Sequence, residues 1–270
     1  MAEHVPPPFQ RPDAGFNDLA GWTWVGCYGG YYLQADLLDG FEHGFFTRQW
    51  QGRGPEVLAG YLSAGVSIHR TRQVHGAEVV AASAARTDPW PDADGLCSDA
   101  GGQSLWVCGA DCTPVLLADP GSGRTAACHA GWRGVAGRIV PAAIEALERN
   151  GSRRQDLRAA LGPAISGPWY QVDQAVVTAV ARSLEPSPGL ADASLIESLR
   201  HSGALLEDPE PGRHRLDIRA ATVQQLEREG IARERIAVCP LCTASEVDLL
   251  HSWRRDQVKA VQWSGIVAQG

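Results

Sequence analysis

The chain has no long apolar run. Its hydrophobic residues make up 44% of 270, but no stretch approaches the ~18 consecutive apolar residues a membrane span requires. The N-terminus, M-A-E-H-V-P-P-P-F-Q-R-P, has neither a basic n-region nor an apolar h-region, so no secretory signal is expected and the default location is cytoplasmic. Excess positive charge is missing too. Lys plus Arg total 24 against 31 Asp plus Glu, a net charge of -7 with a sequence pI ≈ 5.6. That balance argues against a broad nucleic-acid surface and favours small-molecule ligands. No fixed-period repeat occurs, and no compositional break marks a linker. Seven scattered cysteines, an odd number, exclude a simple disulfide framework and suggest buried thiols plus one or two used chemically. There is one Met against nine Trp. Tryptophan lines pockets as readily as it fills cores.

What is present reads as one α/β unit with layered sheets, over residues 21–270, after a loose Pro-rich arm over residues 1–20. Residues 22–33 have the composition of a β-hairpin, and Phe41–Arg48 reads as a strand ending in an arginine. Val57, Leu58, Tyr61 and Leu62 have helical spacing, and Ile68–Val80 reads as two strands broken at Gly76. The clearest helix signature is Val135 to Asn150, with apolar residues at 139, 140, 143, 144 and 147 and a stop at Asn150-Gly151. Further helices are expected over Tyr170–Ser183 and Leu216–Glu229, with short strands at 157–161, 235–238 and 262–268. Glu185 to Gly212 reads as loop.

The chemistry concentrates between Asp94 and Gly134. Apolar runs at Leu105–Cys108 and Val115–Ala118, and a third ending in Cys128-His129, read as buried strands bounded by turns. Cys112 and His129 fall at strand ends, and His75 lies upstream in a similar strand-then-glycine setting. Thiolate sulfur and two imidazoles are a donor set that zinc accepts with one position left open. Each residue alone also has a plain reading as a buried thiol or a hydrogen-bonded histidine. Arg48 is either a surface charge or an anion clamp. Arg133 stands before the expected helix, where free backbone N–H groups and a guanidinium would suit a phosphate. Asp111 is either a support for a ligand histidine or a turn residue. Cys239 and Cys242 form a lone C-x-x-C with Pro240 inside it, which reads as two buried thiols rather than a redox or metal motif.

Five motifs together resemble the laccase-domain family, also called multicopper polyphenol oxidoreductase, whose bacterial members are described as purine nucleoside phosphorylases. They are Q-V-H-G at Gln73–Gly76, A-D-G-L at Ala93–Leu96, G-A-D-C-T-P-V-L-L-A-D at Gly109–Asp119, H-A-G-W-R-G at His129–Gly134 and L-G-P-A-I at Leu161–Ile165. The resemblance runs from about Phe41 to the C-terminus. It implies a four-layer α/β/β/α fold with mixed sheets and a catalytic zinc (Zn2+) held by His75, Cys112 and His129. It also implies Arg48 in the nucleoside or phosphate pocket, beside which Arg133 is the second phosphate-binding candidate. The chain departs from the family in reading Gln49-Trp50-Gln51-Gly52 after that arginine, and Leu249-Leu250 where an aromatic is usual. The activity implied is phosphorolysis of adenosine, inosine or guanosine to free base and ribose 1-phosphate, with adenosine deamination and methylthioadenosine phosphorolysis as further possibilities. Alternatives are a cysteine- or zinc-dependent amidohydrolase acting on peptidoglycan precursors and, lower, a copper-dependent polyphenol oxidase. Against copper, His-x-His pairs are absent. The sequence does not set the oligomeric state.

Overall fold

Strict alternation of side chains along short strands decides the architecture. The structure is a computed structural model and describes residues 19–85, 89–184 and 191–270, so the expected arm lies almost wholly outside the described residues. In chain order the first strands are β1 (Trp22–Cys27), β2 (Gly30–Ala35) and β3 (His43–Phe46), followed by helix α1 (Pro55–Leu62). Next come β4 (Ser67–His69), β5 (Val79–Ala81), β6 (Gly95–Cys97), β7 (Gln103–Gly109), β8 (Thr113–Ala118) and β9 (Thr125–Ala130). Helices α2 (Trp132–Ala136) and α3 (Ile139–Arg149) precede β10 (Arg158–Leu161) and β11 (Gln171–Asp173). The remainder is α4 (Gln174–Leu184), α5 (Asp192–His201), β12 (Leu205–Glu207), β13 (Arg213–Leu216), α6 (Ile218–Arg228), β14 (Ile236–Val238), α7 (Trp253–Asp256) and β15 (Gln262–Val267).

These strands make two six-stranded mixed sheets, ordered β1-β2-β3-β15-β7-β4 and β14-β10-β8-β9-β6-β5, with a small β11-β13-β12 sheet beside them. On β8, Leu116 and Ala118 face the first sheet while Val115 and Leu117 face helices α3, α4 and α6. On β7 the alternation repeats: Leu105 and Val107 enter the space between the sheets, and Trp106 points outward against Leu58 and Ala59 of α1. Successive strand residues point to opposite faces, so one six-residue apolar strand serves two cores at once. The result is the expected four-layer α/β/β/α arrangement. Trp22 and Trp24 fill the inter-sheet layer, while Trp50 and Trp106 fill the layer under α1, which accounts for much of the tryptophan excess.

Three expectations need correction. The helix read over residues 135–150 is two helices: it starts at Trp132 and breaks at Arg138, which takes a left-handed conformation (φ 65°). The guanidinium of Arg138 donates to Ser183 O and Glu229 Oε1, which holds the break in place. Pro141 falls in the first turn of α3, where a missing N–H costs little. Within the segment read as loop, Asp192–His201 is helical and Leu205–Glu207 is a strand, with Leu195 and Leu199 packed into the helical core. Finally, residues 70–78 are not strand. Their single bridge joins Arg72 to Asp92, and they form a loop between β4 and β5.

Candidate metal centre

One edge of the paired sheets collects the ends of several strands. β7 ends at Gly109, β8 begins after Cys112, and β9 ends beside His129. The 70–78 loop returns to the same edge. Gln73 pins it to β7, its amide accepting from Cys108 N (2.8 Å) and donating to Cys108 O (2.7 Å). Asp94, fully buried, accepts from the backbone N–H groups of Val74 (3.0 Å), His75 (3.0 Å) and Gly76 (2.7 Å). These bonds hold His75 at φ 59°, a conformation a side-chain-bearing residue keeps only when its surroundings enforce it.

The loop so fixed brings His75 to Cys112 and His129, with one ligand atom from each lying within 4.8 Å of the other two. His75 is exposed, Cys112 half-buried and His129 buried. The Nδ1–H of His129 donates to Asp94 Oδ1 at 2.8 Å, which leaves Nε2 as the ring nitrogen for Cys112. A carboxylate behind a ligand imidazole is the usual way to fix its tautomer and raise its basicity. Two glycines of H-A-G-W-R-G make room. A Cβ on Gly131 would lie 2.8 Å from Cys112 Sγ, and one on Gly134 3.1 Å from Gly76 O. The N₂S donor set, its spacing and its anchored histidine fit a zinc ion with a fourth position open. Among the described residues this is the one group of three such side chains close enough to share an ion.

The electrostatics couple the thiol to the imidazoles, and a bound metal would displace the proton that Cys112 and Asp94 favour on His129. Burial pushes the Cys112 thiol up, but the imidazoles of His129 and His75 outweigh it and bring it down to about 7. Burial works against a charged His129, yet Asp94 and Cys112 raise it to about 9. Burial also opposes ionisation of Asp94, while His129 and the N–H groups of Gly76 and Val74 hold its carboxyl below the ordinary range. The remaining cysteines behave differently. All seven are free thiols, and burial pushes Cys97 and Cys108 up to about 11 and Cys239 up to about 12. Cys242 Sγ accepts from Ser166 N at 3.3 Å. The C-x-x-C pair is thus buried structure, as expected.

The other expected site residues separate. Arg133 lies inside α2 rather than before it, exposed, with its guanidinium 4.4 Å from the Trp132 ring centroid. Arg48 opens a short 3-10 turn (Arg48–Trp50) and donates to Val247 O. It lines a cavity that includes none of the three candidate ligands. Asp111 does not support a histidine. It accepts from Thr243 Oγ1 and Arg254 N, both at 2.6 Å, and so ties the C-terminal segment to the Cys112 turn at the cost of a φ of 102°. Sequence reasoning missed the part played by Asp94, although A-D-G-L contained it. It also missed Tyr170, whose phenol is pushed up by burial and then by Cys112, and over whose ring Arg254 lies at 5.0 Å.

The family model described as multi-copper polyphenol oxidoreductase laccase matches residues 56–269. The chain belongs to that family. A Synechocystis sp. relative named purine nucleoside phosphorylase is 42% identical over 258 residues, covering 92% of this chain and 97% of its own. A Streptomyces coelicolor relative of the same name is 37% identical over 186 residues, 68% of each chain. Among solved structures, YlmD from Geobacillus stearothermophilus superposes with a TM-score of 0.74 at 26% identity, covering 88% of this chain and 96% of its own. In this member of the laccase family, no helix among the described residues is long and apolar enough to cross a membrane.

Proposed function

We propose that this chain is a zinc-dependent purine nucleoside phosphorylase acting in the cytoplasm, with residues 21–270 as its catalytic unit. The observation that carries the reading is the His75–Cys112–His129 triad anchored by Asp94, in a chain 42% identical to a relative of that name over nearly its full length. His75, Cys112 and His129 would hold the metal, which when bound supplies a fixed positive charge and Lewis acidity at the open position. Asp94 keeps the His129 proton on Nδ1, so that Nε2 stays available as a ligand. Arg48 and Arg133 supply positive charge for phosphate, holding it for attack at the ribose C1′ and offsetting charge that develops there. Burial and the neighbouring Cys112 keep the Tyr170 phenol protonated, so it is available as a hydrogen-bond donor. Deamination of adenosine and phosphorolysis of methylthioadenosine are proposed as accompanying activities. Copper is the less favoured metal: the sequence lacks the His-x-His pairs of multinuclear copper centres, and an N₂S set with an open position suits zinc.

The test is to incubate metal-analysed protein with adenosine and inosine, with and without phosphate, and to identify products by chromatography. Phosphate-dependent release of free base is expected, with about one zinc per chain and no intense visible absorption. Absence of free base across all purines would overturn the reading. One observation favours a second reading. Cys112, His129 and Asp94 also form a thiol–imidazole–carboxylate series of the kind that activates a nucleophilic cysteine for amide hydrolysis. A thiol nucleophile has no use for His75, which is why the metal reading ranks first. Activity that survives complete metal removal but is abolished by alkylation would reverse the ranking.

A further inference from the structure

The phenol of Tyr170 stands beside the candidate metal centre, and none of the residues that shape that centre uses it. Tyr170 follows the 3-10 turn Gly167–Trp169 and leads into β11. Its backbone is tied on both sides, the N–H donating to Gly167 O (3.0 Å) and the carbonyl accepting from Leu216 N (3.0 Å). The ring is half-buried and packs on Ile165, Cys242 and Ala244. These neighbours lead back to the Cys112 turn. Ile165 N donates to Asp111 O (2.9 Å), and Thr243, between Cys242 and Ala244, donates to Asp111 Oδ1 (2.6 Å). Arg254 lies over the ring at 5.0 Å, with its backbone N–H on Asp111 Oδ2 (2.6 Å) and its Nη1 on Gln171 O (3.1 Å). The phenol is therefore fixed against the segment that carries Cys112.

The hydroxyl has no hydrogen-bond partner among the described residues, yet solvent reaches it. The charges that act on it are those of Cys112, Arg254, Asp111 and Arg133, so it opens between the thiol and two exposed guanidinium groups. Neither guanidinium is paired with a carboxylate among the described residues. Two cations and one neutral donor suit different parts of a substrate pair. The guanidinium groups suit phosphate, whereas a phenol that keeps its proton suits an uncharged acceptor. In phosphorolysis a phosphate oxygen bonds to the ribose C1′ as the C1′–N9 bond breaks, and the electron pair passes to the base and spreads to N7. The proton that phosphate gives up ends on the base by way of solvent, and the phenol retains its own. N7 is uncharged in the nucleoside and gains negative charge as the bond breaks, so a donor placed there stabilises the transition state more than the ground state.

We infer that Tyr170 is a further catalytic residue whose hydroxyl donates to N7 of the departing purine, with Arg254 as the positioning residue that holds its ring. This role rests on the phosphorylase reading and adds to it the group that acts on the leaving base. Steady-state kinetics of the zinc-loaded chain with inosine and with 7-methylguanosine, both at saturating phosphate, test it. The second nucleoside carries a methyl group and a positive charge at N7, so it has no lone pair there to accept a donor and needs none. Tyr170→Phe is expected to lower kcat about a hundredfold on inosine and less than about threefold on 7-methylguanosine, with zinc content and the KM for phosphate unchanged. Arg254→Met, which frees the ring, is expected to show the same preference in smaller measure, about tenfold on inosine. Equal losses on the two nucleosides, or an unaltered kcat on inosine in Tyr170→Phe, would overturn the inference and leave the phosphorylase reading standing. Phenylalanine removes only an unpartnered oxygen, so the variant is expected to keep the Tm of the parent. Should it not fold, the ratio of losses in Arg254→Met decides, and equal losses there overturn the inference. A parent chain that releases base from neither nucleoside overturns the phosphorylase reading and this role with it.

Discussion

Asp94 connects two of the three candidate ligands, receiving the His129 ring N–H on one side and the backbone N–H groups that shape the His75 loop on the other. Asparagine in its place would turn one acceptor into a donor facing another N–H. Asp94→Asn is therefore expected to weaken metal binding by about 10–100-fold. Competition against a chromophoric chelator measures this, and unchanged affinity would remove Asp94 from the site. Gly131→Ala tests the same centre by space alone, since its Cβ would press on Cys112 Sγ at 2.8 Å. A loss of metal affinity on the order of tenfold is expected with the fold intact, because a displaced ligand spoils the coordination geometry. The three candidate ligands were legible in the sequence because each sits in a short motif bounded by glycine or proline, and the structure brings them together. Asp94 was not, since a carboxylate in A-D-G-L reads as an ordinary turn residue until the 70–78 loop is folded back upon it.

At the hairpin end of the first sheet, His43 takes the place of a missing ladder bond. Its Nε2 accepts from Ala35 N (2.8 Å), while its Nδ1–H donates to Phe41 O (2.7 Å). Burial lowers the pKa of this imidazole from 6.5, against the hydrogen bonds to Phe41 and Ala35. The neutral ring thus contributes stability that is complete above about pH 6.5 and is lost as the pH falls through that value toward the folded pKa. His251 is shifted the same way, so the difference between parent and His43→Gln isolates the one residue. Urea titrations at pH 7.5 and 5.5 are expected to show a steeper acid loss in the parent. An equal loss in both would exclude His43 as the cause. Helix α5 and the break at Arg138 were not legible for a common reason. The residues of α5 are too polar to show a strong apolar stripe, and the left-handed turn at Arg138 is held by contacts to Ser183 and Glu229, 45 and 91 residues distant. The longer strands, which are local apolar runs bounded by turns, were legible, whereas the three-residue strand Leu205–Glu207 and its neighbour Arg213–Leu216 are too short and polar to show such a run.

For the molecule as a whole, metal binding at the triad would be coupled to folding, because the candidate ligands come from segments far apart in the chain. At free zinc a hundredfold above its dissociation constant the gain is about 2.7 kcal/mol, so chelation is expected to lower Tm by roughly 5–10 °C. Calorimetry with and without chelator checks it, and a Tm indifferent to chelator would mean that the triad holds no metal. The layout of the chain adds a further expectation. The polypeptide leaves the first sheet for the second twice, between β4 and β5 and between β7 and β8, and His75 lies in one of these passages and Cys112 in the other. An ion shared with His129 would act as a rivet through both outward crossings, so that the sheets could not part along this edge without breaking a coordinate bond. Its chief effect would then be on the lifetime of the folded state, slowing spontaneous opening more than it hastens collapse.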